Sequence, residues 1–264
     1  STGGEIEILA AGAEATAGFA GISLHADDLN ALSARRLTIG AKPSVTYGQR
    51  GNYVEFSDTD KSFGITLREG AVLRAAEVFL VTGWARETGP GAITVEAGAG
   101  IRTLGMGKAP FDSTDGFIYT PQTLQFGRGG SMVAVSNGRL EVLPAASTIL
   151  SQGAILIGAC GASGHCDAPT ALYSEGTIAF ATTNRFDLGD KVQFGTRNLA
   201  LGVGAVNVGT REALAAASAA GVLPSGLTLN QTVLDRLLQG DSSTGAPALE
   251  SLILTARDAV NFFG

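Results

Sequence analysis

Residues 175–209, EGTIAFATTNRFDLGDKVQFGTRNLALGVGAVNVG, repeat a triplet in which two large apolar residues flank one other residue. Such alternation indicates a short strand with one buried face, because successive side chains point to opposite faces of the pleat. Gly, Asn, Asp and Thr, which favour turns, separate the triplets. The five triplets are Ile178-x-Phe180, Phe186-x-Leu188, Val192-x-Phe194, Leu199-x-Leu201 and Val206-x-Val208.

The same triplet recurs through the rest of the chain, and three successive steps make a coil of ~20 residues, typical of stacked β architectures. We therefore predict an all-β fold, a right-handed parallel β-helix (a solenoid). An antiparallel sandwich is the alternative, but it predicts more Asn-Gly and Asp-Gly turns than the sequence holds. The further triplets are Ile6-x-Ile8, Ile22-x-Leu24, Ile65-x-Leu67, Val78-x-Leu80, Ile93-x-Val95, Leu252-x-Leu254 and Val260-x-Phe262.

Residues 210–240, TREALAAASAAGVLPSGLTLNQTVLDRLLQG, break the pattern with two helical signatures. Thr210 is a predicted N-cap, and Gly221 and Gly240 are predicted stops. Helices this short are stable only when docked, so we expect the pair to lie across one flank of the coils. The predicted division is β-helix coils over 1–209, a helical insertion with its return loop over 210–250, and a further coil over 251–264.

Composition excludes two classes of partner. The 264 residues are 45% hydrophobic and 16% charged, with a net charge of −6 and only four Lys among 18 basic residues. No polybasic patch for phosphates is present, so we predict no nucleic-acid partner. No apolar run reaches the ~18 residues needed to cross a bilayer, so no direct membrane span is predicted.

Two stretches, GVLPSGLTLNQTVLDRLLQGD and the N-terminal GGEIEILAAGA, carry a family resemblance. The chain resembles the interior β-helix region of filamentous haemagglutinin-family exoproteins, large two-partner-secreted surface proteins of Gram-negative bacteria. The resemblance covers roughly residues 150–264 well and the rest in style. It implies a secreted or surface-bound adhesive fibre exported by an outer-membrane partner. The family's N-terminal secretion domain and C-terminal effector domain are not represented here.

Cys160 and Cys166 lie close together in CGASGHC. We interpret them as a small disulfide-closed loop, which indicates an oxidising compartment; free thiols are the alternative. Two cysteines and one adjacent His are too few for a closed zinc site, which has four ligands.

Carboxylates could serve chemistry at two places. His25, Asp27 and Asp28 in LHADD could contribute to sugar cleavage, which uses paired acids, but a solvated loop is the simpler interpretation. Asp58 and Asp60 in SDTDKS have the spacing of calcium loops but lack the Gly and distal Glu of an EF-hand, so an ordinary turn is expected.

Three other features are weak candidates. Gly98–Gly107 lacks the Lys of a phosphate-binding loop and is expected to be a corner. His165 and Ser163 have no identifiable catalytic partners, and Trp84 is expected in a turn, with ligand stacking as its alternative. We predict no catalytic, cofactor-binding or metal-binding residue.

The expected function is that of a non-enzymatic structural segment of a longer adhesin, since the chain starts at Ser1 without Met and stops at NFFG, which includes the end of the Val260-x-Phe262 triplet. Expected partners are neighbouring segments of the parent chain, an outer-membrane secretion partner, and a host or bacterial surface receptor or glycan. A carbohydrate-binding or carbohydrate-cleaving β-helix is the alternative.

Overall fold

A computed structural model of the chain describes residues 4–49, 51–57, 64–82, 84–85, 89–110, 113–120, 130–143, 153–161 and 164–264. In the part of the chain that the structure describes, strands make up 47% and helices 13%, with sheets that are largely parallel. The prediction of an all-β chain is confirmed.

The described residues form 23 strands. They are β1 Glu5–Leu9, β2 Ile22–His25, β3 Arg36–Ile39, β4 Lys42–Gly48, β5 Gly51–Ser57, β6 Gly64–Leu67, β7 Val72–Arg74, β8 Glu77–Val81, β9 Trp84–Ala85, β10 Gly89–Pro90, β11 Ile93–Glu96, β12 Gly100–Arg102, β13 Phe117–Thr120, β14 Met132–Ser136, β15 Glu141–Val142, β16 Ile155–Ala159, β17 Thr170–Tyr173, β18 Thr177–Thr182, β19 Phe186–Leu188, β20 Val192–Gly195, β21 Asn198–Gly209, β22 Leu227–Leu229 and β23 Ser251–Phe263. The α-helices are α1 Ala26–Ala31, α2 Arg211–Ala219 and α3 Gln231–Gln239, and Ser113–Asp115 and Ser242–Thr244 form 3-10 turns.

Three ladders of strands surround one core. The first ladder runs β2-β1-β6-β11-β16-β19-β22, the second runs β7-β12-β17-β20, and the third runs β3-β8-β14-β18. The first and third ladders meet at β21, whose first half pairs with β18 and whose second half pairs with β22. Successive strands of the chain visit the ladders in turn, as β6, β7 and β8 do, and later β16, β17 and β18.

Columns of like side chains fill the core because the strands stack in register. Parallel pairing aligns each apolar residue of a triplet with its counterpart on the next strand, and alternation turns both inward. All members of these columns belong to one buried cluster. One column of the first ladder is Ile6, Ile65, Ile93, Ile155 and Phe186, and its neighbour is Ile8, Leu67, Val95, Ile157 and Leu188.

The third ladder is buried on both faces. Its inward residues join the main core, while outward residues such as Phe79, Met132 and Ala179 join a second cluster. A sheet of order β15-β13-β5-β4 supplies the other side of that cluster, including Val54 and Tyr119. The triplet pattern did not predict this second layer.

Three details differ from the sequence expectation. Strand β14 runs antiparallel to both β8 and β18, within an otherwise parallel ladder. Circuit length varies: Ile178 pairs with Leu199, close to the predicted ~20 residues, whereas Ile65 pairs with Ile93, and Ile155 with Phe186, across longer circuits. Two predicted strands merge into β21, because its pairing with β23 continues across the glycines between the triplets.

The helical insertion forms where predicted, but it contains a strand. The side chain of Thr210 accepts a hydrogen bond from Ala213 N (3.1 Å) at the start of α2, and Asn230 caps α3 in the same way through Val233 N (3.0 Å). Gly221 has φ +68°, which stops the first helix as expected. Between the helices, β22 pairs with β19 and β21, so the chain returns to the first ladder before α3.

Candidate functional site

The exposed end of the stack is strand β23. It pairs in parallel with β21 and with no other described strand, so one row of its backbone groups is open to a further strand. The inward positions of β23 continue the core columns by one step, but nothing covers them. The aligned pairs are Leu199 with Leu252, Leu201 with Leu254, Val206 with Val260, and Val208 with Phe262.

Side-chain exposure changes sharply between these two strands. Leu201 is 2% exposed, whereas its partner Leu254 is 39% exposed, and Phe262 reaches 80%. Exposed apolar side chains in register with a buried column form a surface that another strand of the same pattern would fit. We call Leu252, Leu254, Val260 and Phe262 the terminal column.

A hydrogen-bonded pair of asparagines also aligns β21 with β23. Asn207 of β21 is buried, and its side chain accepts a hydrogen bond from Asn261 Nδ2 (2.9 Å) on β23 while donating to Pro224 O (2.8 Å). Stacked carboxamides of this kind hold parallel strands in register and repeat from strand to strand in cross-β structures.

At the end of the stack away from β23, helix α1 covers β7, the first strand of the second ladder. The carboxamide of Asn30 donates to Val72 O (2.9 Å) and accepts from Arg74 N (2.7 Å), as the backbone of a neighbouring strand would. Ala26 is buried, and Leu29 packs against the core. At this end α1 satisfies the free edge of β7, while β2 and β3 each pair with one strand only; β23 leaves the longest open edge among the described strands.

A buried ionic cluster ties the first ladder together on its outer side. Arg68 lies between two carboxylates, with its Nε 2.9 Å from Glu7 Oε2 and its Nη1 2.8 Å from Glu96 Oε1. Burial alone would raise the pKa of Glu7, but hydrogen bonds from Ser23, Thr16 and Arg68 hold it below its usual value. The cluster pins residues of the loop that follows β1 and is structural, since every acceptor of Glu7 is engaged inside the protein.

A second ionic cluster lies between the third ladder and the outer sheet. Glu77 is fully buried, pairs with Arg36, and accepts a hydrogen bond from Ser136 Oγ (3.2 Å). Burial raises the pKa of Glu77, partly offset by Arg36. Burial and the Glu77 charge also raise the pKa of Tyr119, whose hydroxyl accepts a hydrogen bond from Arg36 Nη2 (3.1 Å). No sequence pattern indicated either cluster, because a polar residue at an outward position of a strand resembles a solvated one.

Cys160 and Cys166 form a disulfide that closes the exposed loop after β16. His165 inside that loop is exposed, and its Nδ1 lies 3.2 Å from Glu69 Oε2. Ser163 lies outside the described residues. The loop thus brings His165 to one surface carboxylate and to no described nucleophile.

The acids considered for sugar cleavage lie on the solvent side of α1. His25 Nε2 is 2.9 Å from Ala13 O, and its Nδ1 is 3.8 Å from Asp28 Oδ2. Asp27 and Asp28 are both exposed in the first turn of this six-residue helix. The structure therefore places them together with His25 but on an exposed surface, which is the solvated position expected of them.

The remaining candidate residues lie in a turn or outside the described residues. Asp58 and Asp60 lie outside the described residues, as does the side chain of Trp84. Gly98 has φ +82° in the turn between β11 and β12, in agreement with a corner. Among the described residues, no three His, Cys, Asp or Glu side chains come together as metal ligands. The described helices are all too short or too polar to cross a bilayer.

Comparisons with family models, with curated proteins and with solved structures found no match to this chain.

Proposed function

We propose that the three ladders are the faces of a right-handed parallel β-helix, and that the chain is a non-enzymatic structural segment of a secreted or cell-surface filament of a Gram-negative bacterium. The proposal rests on the in-register strands and on the family resemblance of residues 150–264. In such a segment each coil adds ~4.8 Å of length, so the stack would project or present a binding surface for contact with cells or matrix.

The terminal column carries the proposal. Four inward apolar side chains of β23 continue buried columns and remain exposed, and the Asn207–Asn261 pair marks the register for the next strand. The occupant we infer for this edge is the following coil of the parent filament, because it would extend the β21–β23 pairing with the same spacing and direction.

Further partners follow from the resemblance. An outer-membrane secretion partner would export the parent chain, and a surface receptor or glycan would be the target of adhesion. The Cys160–Cys166 disulfide supports a secreted location, since disulfides persist in oxidising compartments.

The test compares two variants of the parent filament. Leu254→Lys with Phe262→Lys places two charges in the terminal column, where a following coil would bury them. We expect this variant to break or loosen the rod at β23, seen by electron microscopy and as a new site of limited proteolysis. Ile253→Lys is the matched control, because Ile253 alternates to the other face of β23 and is already 51% exposed. An intact rod in the double variant would contradict the proposal.

A carbohydrate-binding β-helix is the second candidate. It is favoured by a polar groove between α3 and β20, the edge strand of the second ladder.

A further inference from the structure

A groove of about 420 Å³ lies where α3 and the loop after it approach β20. This volume is within the usual range for small-molecule sites. The groove lies at the end of the second ladder away from α1, beside the edge strand β20. It is lined by Pro169, Lys191, Val192, Gln193, Phe194, Arg236, Gln239, Gly240, Asp241 and Ser243.

The amphipathic helix α3 builds one wall. Val233 and Leu237 are buried in the main core and fix the helix against it. Arg236 and Gln239 are three positions apart, so they lie on one side of the helix and both reach the groove. Gly240 has φ +64°, which turns the chain and brings the next residues to the opposite wall.

Asp241 holds that opposite wall in place. It accepts hydrogen bonds from Ser243 Oγ (2.5 Å) and Tyr173 Oη (2.5 Å), and these contacts lower its pKa. The Tyr173 hydroxyl is also 3.0 Å from Gln193 Oε1, so its single proton is shared between Asp241 and the exposed Gln193 carboxamide. The carboxylate of Asp241 is therefore engaged by the protein itself.

Arg236 is the group that these contacts leave unsatisfied. Its Nη1 is buried and has no hydrogen-bond partner among the described residues. The other cation of the groove, Lys191, is paired with Asp167, and Asp241 is occupied as described. A buried guanidinium donor without an acceptor is unusual in a folded protein and calls for an anionic partner.

We propose that this groove binds a sugar that carries a carboxylate. Arg236 binds the carboxylate, since a guanidinium matches its geometry. The carboxamides of Gln193 and Gln239 bind hydroxyl groups, and Pro169 contacts the apolar face of the ring. Binding is non-covalent, and the site gives the β20 end of the second ladder a ligand of defined chemistry whether or not the chain is part of a filament.

The test is a titration of the 264-residue chain with glucuronate, followed by amide chemical shifts. We expect saturable shifts around residues 191–194 and 236–243 with a millimolar or tighter dissociation constant, and binding of glucose and of acetate at least about tenfold weaker. Glucose lacks the carboxylate and acetate lacks the ring, so the two controls separate the two halves of the proposed recognition.

Variants identify the cation. Arg236→Gln is expected to weaken glucuronate binding about tenfold or more, as loss of a charge-assisted hydrogen bond does. Arg236→Lys is expected to bind glucuronate with an affinity between those of the unchanged chain and Arg236→Gln. Arg139→Gln makes the same charge change at an exposed position outside the groove and is expected to bind normally. An unchanged amide spectrum away from the groove verifies folding.

Four outcomes would overturn the proposal. They are no saturable glucuronate binding, equal binding of glucose, equal binding of acetate, and equal weakening by Arg139→Gln and Arg236→Gln. Equal acetate binding would mean an anion site without sugar recognition, and equal weakening would mean general electrostatic attraction.

Discussion

Two leucines in one column of the stack provide a matched pair for measuring what the next coil contributes. Leu201 and Leu254 are register partners, 2% and 39% exposed. Leu201→Ala removes buried methyl groups and leaves a cavity that β21 and β23 cannot close, which costs about 2–5 kcal/mol. The Leu254 side chain is already 39% exposed, so Leu254→Ala returns less apolar surface to water and leaves no enclosed cavity, and we expect a cost below ~1.5 kcal/mol.

The assay is urea unfolding of the 264-residue chain followed by circular dichroism, with thermal unfolding alongside. A loss of ~3 kcal/mol corresponds to a melting temperature lower by roughly 6–12 °C for a chain of this size. Once a following coil covers β23, Leu254→Ala should become as costly as Leu201→Ala. Equal losses for the two variants in the 264-residue chain would refute the assignment of β23 as an uncovered end.

Three further predictions concern the closed end, acid stability and the disulfide. Asn30→Ala should destabilise the chain by about 1–3 kcal/mol and speed hydrogen exchange at Arg74, because the edge of β7 loses its partner; unchanged exchange would contradict the edge-closing role. The pKa of Glu7 is held below its ordinary value of 4.5, so the free energy of unfolding should fall as the pH drops below about 4.5. Glu7→Gln should make that fall shallower in urea titrations at several pH values. An identical pH dependence in the variant and the unchanged chain would contradict this role of Glu7. Reduction of Cys160–Cys166 should cost roughly 2 kcal/mol, the loop-closure entropy of so short a loop, without loss of strand content, and a collapse of the circular dichroism signal would mean that the loop is part of the core.

Strand positions could be predicted from the sequence because a strand that is buried on one face carries apolar residues at every second position. Ile178-x-Phe180, Phe186-x-Leu188 and Val192-x-Phe194 each become a strand with both large residues buried. The same alternation occurs in parallel and antiparallel strands, however, so the antiparallel direction of β14 could not be predicted from its residues. Strand direction depends on the connections, which only the tertiary structure supplies.

The second layer was missed for a related reason. Residues 77–81, EVFLV, and 132–136, MVAVS, are buried at every position. A continuous apolar run of this length is typical of a strand covered on both faces, so the signal was present. What covers the outer face, the sheet of β4, β5, β13 and β15, comes from residues that show no such run.

The groove is built by residues far apart in the sequence, so the sequence pattern indicates it less clearly than it indicates the strands. Helical periodicity places Val233 and Leu237 on the buried face of α3, and Arg236, three residues after Val233, lies at the border of that face. Leu238 belongs to the same apolar spacing, but it is 50% exposed. That Arg236 lines one groove with Gln193 and Asp241 follows from how α3 docks on β20, which no local pattern records.

The most direct test of the filament proposal is a density map of the parent protein as purified, at a resolution that separates strands. We predict parallel strands ~4.8 Å apart that continue past β23, with the terminal column buried under the next coil. Density in which β23 stays solvent-exposed, or is covered by an antiparallel strand or a closing helix, would contradict the proposal.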